Sequence, residues 1–185
     1  MMNLKSLYDN ETLQWKVKRP SHEYRNLPEE TRSIIDEHVS EFPVKLGKLA
    51  KRLGVKVLLS TLPRGISGQI SQGDDGQFII KVNRHEAKHR QRFTLAHELA
   101  HYILHRDIIE KVGGWSEGVL LRAPNQPMEI EYQANRLASD LVMPSDQLTN
   151  VISEYQEPIT SEVIDDLAGR FGVSTAAMEI KLQAA

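Results

Sequence analysis

Arg92-Phe93-Thr94-Leu95-Ala96-His97-Glu98-Leu99-Ala100-His101-Tyr102-Ile103-Leu104-His105 is the stretch from which the rest of this 185-residue chain is read. Inside it stands His97-Glu98-x-x-His101. Residues four apart on an α-helix differ by about 40° around the axis, so both imidazoles leave one face, one turn apart. Two imidazoles so placed can close on one Zn²⁺, and the carboxylate between them can take a proton from an attacking water. The flanks supply the helix. Phe93, Ala96, Leu99, Ala100, Ile103 and Leu104 recur at helical spacing. Upstream, Asn83 and Glu86 carry the pattern of an N-cap with its partner carboxylate, which predicts a helix opening just after Asn83.

A catalytic zinc site takes three protein ligands and keeps one position open. A histidine ten residues after the first would complete one familiar set, but that position is Asp107. His105 lies one turn past His101. Positions 97, 101 and 105 drift steadily around a straight helix, so His105 is read as a supporting or packing residue. A second helix offers a carboxylate instead. Pro127 opens it, Pro144 stops it, and Ala134, Leu137, Ala138 and Leu141 form a narrow apolar stripe. Glu131 and Ala138 fall on nearly one face, with Asn135 between them. A carboxylate beside small apolar residues is odd on a solvated helix and fits a ligand turned toward the first helix. Glu129 is the competing carboxylate if the register differs, and Asn135 is a candidate to brace the ligands.

The pairing of F-T-x-A-H-E-x-x-H with a downstream E-x-x-A-N-x-x-A-x-x-L-x-M-P resembles the ImmA/IrrE family of metallo-endopeptidases. The likeness runs from about Phe78 to Pro144, and more weakly from about residue 41 and through the C-terminal tail. The resemblance implies a zincin-like domain holding Zn²⁺ on His97, His101 and Glu131, with Glu98 as general base. Two positions depart from the family pattern: Gln133, where members often carry a second Glu, and Leu137, where Phe is usual. The resemblance also implies a substrate class, a helix-turn-helix transcriptional repressor cut to release a mobile-element or stress regulon. The competing reading is a regulatory module that binds and sequesters a repressor or antitoxin partner through the same cleft without cutting it. Tyr102, Tyr132, His105 and Tyr155 are candidates for a second oxyanion donor.

The remaining sequence frames this site. Charge is nearly balanced at −2, so no overall field draws nucleic acid or a membrane surface. With no cysteine, disulfides and thiolate ligands are excluded, and a transition-metal site must use His and carboxylates. There is no signal-type N-terminus and no apolar run near the roughly 18 residues of a membrane span, so a soluble cytoplasmic protein is expected. Residues 1–26 read as a polar N-terminal arm, 27–158 as the metallopeptidase core, and 159–185 as a C-terminal helix pair packed on the core. Leu27-Pro28-Glu29-Glu30 opens a helix, and Pro43 begins another that ends at Gly54. Residues 55–59, 66–70 and 77–82 alternate as strands, with Gly73-Asp74-Asp75-Gly76 as a turn. The expected fold is therefore α+β, mostly helical, with a small three-stranded antiparallel sheet before the zinc helix. An edge of that sheet is a place where an extended peptide can add as a strand. The glycine-rich stretch around Trp115 reads as a rim or lid of the cleft. The last helices, joined at Gly172-Val173-Ser174, resemble a helix-turn-helix. The second of them offers Lys181 against Glu179, too little cation for a DNA reader, so direct nucleic-acid binding is not expected.

Overall fold

Phe78, Ile80 and Val82 are buried, while Ile79 and Lys81 between them are only partly covered. That period of two turns one face of strand β4 (Phe78–Asn83) into the core. The computed structural model from which this is read describes residues 15–112, 114–116, 128–155 and 159–184. β4 lies between β2 (Val55–Ser60) and β3 (Gly68–Gln72), and β5 (Gly114–Ser116) pairs with the far side of β3, giving the order β2-β4-β3-β5. β3 is antiparallel to both β4 and β5. β2 is parallel to β4, in register from Val55 opposite Phe78 to Ser60 opposite Asn83.

The expected all-antiparallel, three-stranded sheet is thus corrected twice. The sheet is mixed, and it gains a fourth strand. After the turn closed by Gly76 N–H on the Gly73 carbonyl (2.9 Å), the chain folds back into the slot between β3 and β2. Side-chain alternation is the same for a strand of either direction, so it carries no information on that choice. β5 comes from the stretch expected to be a rim. Residues 106–112 extend the preceding helix, and residues 117–127, including Pro127, lie outside those described, as does Pro158.

Helix α4 (Lys88–Val112) crosses β3 and β4 and packs along α5 (Met128–Val142). Its Ala96, Leu99 and Ala100 are fully buried, as are Ala134, Leu137, Ala138 and Leu141 of α5, the stripe expected from sequence. The start of α4 is a correction. Asn83 is the last residue of β4, its N–H bonded to the Ser67 carbonyl at 2.8 Å. Its side chain accepts from His85 N–H at 3.2 Å, an Asx turn that uses the same local bond a helix cap would use. Glu86 accepts from Ser67 Oγ at 3.1 Å rather than completing a capping box.

The other elements close around this layer. Helices α1 (His22–Arg25), α2 (Glu29–His38) and α3 (Leu46–Arg52) precede the sheet, α3 opening three residues later than Pro43 suggested. Helices α6 (Ser145–Ile152), α7 (Ser161–Phe171) and α8 (Thr175–Lys181) follow α5 and bury Leu148, Val151, Ile164, Leu167, Phe171 and Met178. Thr160 and Ser174 cap α7 and α8, and Gly172, at φ 66°, makes the left-handed turn between them. Strand β1 (Trp15–Val17) pairs antiparallel with β6 (Leu182–Ala184). The α1 segment is tied to α5 where Asp140 accepts from Ser21 N–H (2.8 Å) and where Glu23 takes two bonds from Arg136 (3.0 and 2.7 Å). Lys181 is buried and donates to Asp140 at 2.7 Å, so the one cation of α8 is committed inside the protein. Among the described residues no helix is long and apolar enough to cross a membrane.

Candidate metal centre

The middle of α4 is buried on the side facing α5, and polar residues occur there among the apolar ones. His97 is 3% exposed, and Glu98 and His101 are fully buried. Their helical spacing brings the two rings to a centroid distance of 4.5 Å, with Nε2 facing Nε2 at 3.0 Å. From the first turn of α5, Glu131 reaches the same point. Its Oε2 lies 3.2 Å from His97 Nε2 and its Oε1 3.4 Å from His101 Nε2. One ligand atom from each of the three lies within 4.8 Å of the others. Glu129, the rival carboxylate, instead takes a bond from Arg136 at 2.8 Å and is more than half exposed.

The donor set fits a divalent cation. His97 Nδ1 meets the Asn135 amide oxygen at 3.0 Å, which can only accept. The proton of neutral His97 is therefore on Nδ1, and the Nε2 lone pair points at a carboxylate. Lone pairs facing each other at this distance repel unless a cation lies between them. Glu131 Oε1 is closed off from solvent and makes no hydrogen bond of good geometry, although it faces His101 Nε2. Ligands held tetrahedrally at about 2.0–2.1 Å stand about 3.3–3.4 Å apart, close to the separations found here. Two imidazoles and a carboxylate, without thiolate, match a catalytic rather than a closed structural zinc set.

Protonation favours the same use. Burial pushes His101 down to about 4, its contact with the Glu131 carboxylate opposing. Burial also lowers His105. For Glu131 burial works against the ionised form, but the two imidazoles, whose Nε2 atoms lie 3.2 and 3.4 Å from its oxygens, outweigh it and hold the carboxyl well below its ordinary range. A neutral His101 beside an ionised Glu131 is the pairing a metal needs.

Glu98 lies between α4 and β3. A Cβ built on Gly68 would stand 2.9 Å from Glu98 Oε1 and 2.4 Å from Thr94 Cγ2, so the glycine is what lets the strand approach the helix here. His105 does not join the ligand atoms; its Nδ1 lies 3.2 Å from His101 Nδ1 and its Nε2 3.0 Å from Gln133 Oε1. In the sequence Gln133 stands out only as a departure from the family pattern, and nothing in its local spacing shows that it reaches back to α4. The remaining four histidines lie elsewhere: His22 bonds the Asn26 side chain, His38 bonds the Ile34 carbonyl, His85 bonds Thr61, and His89 is exposed. Of the oxyanion candidates, the Tyr102 hydroxyl is committed to the Leu53 carbonyl (3.1 Å) and that of Tyr155 to Asp166. Tyr132 is half-exposed and lines a cavity of about 370 Å³ together with Asn135.

Among solved structures, a Mycobacterium tuberculosis transcriptional regulator shares the fold, with a TM-score of 0.51 and 17% identity over 83% of this chain. The chain spans less than half of that protein, 46%. No curated protein matches the chain. The sequence profile of the peptidase M78 family, described as the IrrE N-terminal-like domain, matches residues 50–183, which include every residue of the cluster and the strand beside it. The chain belongs to the ImmA/IrrE family of peptidases.

Proposed function

We propose that this protein is a zinc-dependent endopeptidase with Glu98 as its general base, acting on a helix-turn-helix transcriptional repressor. The observation that carries the reading is the convergence of His97, His101 and Glu131 from two helices within 4.8 Å, with the buried Glu98 next to His97 in the helix. Zinc held by these three would supply a Lewis acid for the peptide carbonyl and bring the pKa of a water from 15.7 to about 7. Glu98 takes the proton of the attacking water and returns it to the leaving amine. Asn135 fixes the His97 ring by accepting from Nδ1, which keeps Nε2 turned inward. Tyr132 is the candidate donor to the developing oxyanion, because among the described residues the other three candidates have committed their polar atoms. The repressor as substrate class rests on the family resemblance, and the regulator with the same fold is compatible with it.

The test pairs the purified protein with helix-turn-helix proteins encoded by neighbouring genes as candidate repressor substrates. The wild type should carry about one zinc and cut the repressor at a defined bond. Glu98→Gln should keep the zinc and lose about 10²–10⁴-fold in cleavage rate. Cleavage by Glu98→Gln at the wild-type rate overturns the mechanism. A zinc-loaded wild type that binds the repressor and leaves it intact overturns the peptidase reading in favour of sequestration.

A further inference from the structure

Helix α4 is broken at His105, whose φ of −129° and ψ of 24° are not helical. The break does not part the two rings: their Nδ1 atoms meet at 3.2 Å in the protein interior. Beyond them the Gln133 amide oxygen stands 3.0 Å from His105 Nε2. His101 is fully buried and His105 is 6% exposed. We propose that His105 and Gln133 form a charge-neutral hydrogen-bond relay that fixes the tautomer of His101, making them positioning residues for the metal centre.

Proton bookkeeping along the relay leaves one arrangement. An amide oxygen has no proton to give, so His105 Nε2 carries the hydrogen and donates it to Gln133. Neutral His105 then has a bare Nδ1, which must accept. It accepts from His101 Nδ1–H, which leaves the lone pair of His101 on Nε2, the atom facing His97 and Glu131. Every contact is satisfied with no added charge. His97 is served in the same way by Asn135. Helix α5 thus supplies the carboxylate Glu131 and, on either side of the buried Ala134, two neutral amides that aim both imidazoles. Because both outer acceptors are amides, Glu131 is the one anion of the set, and zinc there would keep a net charge of +1. A carboxylate at position 133 would add a negative charge at the end of the relay.

The inference rests on the zinc reading above, and the experiment separates the two. Long-range ¹H–¹⁵N correlation spectra of the histidine side chains are recorded for the full chain, metal-free and zinc-loaded, with zinc affinity measured by competition against a chromophoric chelator. His105 should appear as the Nε2–H tautomer in both states, and His101 should carry its proton on Nδ1 when zinc is bound. Gln133→Ala and His105→Phe should weaken zinc binding about 10–100-fold, whereas Gln133→Glu, which keeps the acceptor and adds a charge, should bind at least as tightly as the wild type. His105 as the Nδ1–H tautomer overturns the relay whether or not zinc binds, since His101 would then have to accept on Nδ1 and lose its inward lone pair. Wild-type zinc affinity in Gln133→Ala and His105→Phe also overturns it, while leaving the metal centre standing. A wild type that binds no zinc, with His105 still Nε2–H, sinks the zinc reading and leaves the hydrogen-bond relay in place.

Discussion

At the residue scale, Gly68 carries a constraint that no side chain announces. A methyl group there would overlap Thr94 Cγ2 and crowd Glu98 Oε1 at once, and Thr94 is short, branched and buried, so the strand and helix must be pushed apart and the Glu98 carboxylate displaced with them. Gly68→Ala should therefore keep its zinc but lose cleavage by about 10²-fold, the scale of a misplaced catalytic group; unchanged cleavage would show that Glu98 has slack at this contact. Glu23 gives a pH prediction of a different kind. The Arg136 guanidinium holds its carboxyl below the ordinary value of 4.5, burial opposing. A group depressed in the folded state stabilises the protein above its unfolded pKa, and that contribution is lost as pH falls through the folded value. Glu23→Gln should cost about 1 kcal/mol or less at pH 7, Arg136 being nearly half exposed, and its penalty should shrink in urea melts below about pH 4. The facing of His97 and His101 was legible because a spacing of four needs nothing beyond the helix itself. The choice between Glu131 and Glu129 was less so, since it depends on how α5 is rotated against α4, and Arg136 settles the fate of Glu129 from seven residues away. Gly68 was invisible in the sequence. Its requirement is a contact between two elements 30 positions apart.

At the element scale, periodicity delivered the pieces and left their arrangement open. The apolar stripes of α4 and α5, the alternation of β4 and the capped pair α7 and α8 follow from side chains repeating at 3.6 or 2 residues. Strand direction and neighbour choice do not, which is why the pattern alone suggests an antiparallel β2 and a rim where β5 lies. The break at His105 was likewise hidden, because a helix-forming pattern runs straight through it. What binds distant elements is often a single buried pair. Asp140 and Lys181 join α5 to α8 at 2.7 Å with both side chains nearly fully buried, and Asp140 also receives Ser21 N–H from the segment before α1. Lys181→Met strips a buried carboxylate of its counter-charge and should destabilise the fold by about 3–5 kcal/mol. Adding Asp140→Asn should recover part of that loss, since a neutral amide can still accept from Ser21. Equal midpoints for the single and double variants in chemical denaturation would mean that the pair contributes shape rather than charge.

At the scale of the whole molecule, the sheet, α4 and α5 form one layered body, and the candidate centre sits on the seam between the two helices. Folding brings two imidazole lone pairs and a carboxylate against one another at 3.0–3.4 Å, an arrangement that opposes itself until a cation joins it. A metal that binds this folded arrangement and not the open chain adds RT ln(1 + [M]/Kd) to stability, about 4 kcal/mol at a thousandfold excess over Kd. For a chain of this length each kcal/mol moves the melting temperature by about 2–4 °C, so chelation should lower it by about 8–16 °C. Glu131→Ala should melt at one temperature with zinc or with chelator, because the seam then lacks its third donor. Glu98→Gln should respond to zinc as the wild type does, since Glu98 supplies no ligand atom in the cluster. A Glu131→Ala variant that gains as much from zinc as the wild type would move the metal off the seam, and a wild type whose melting ignores zinc at saturating concentration would remove it.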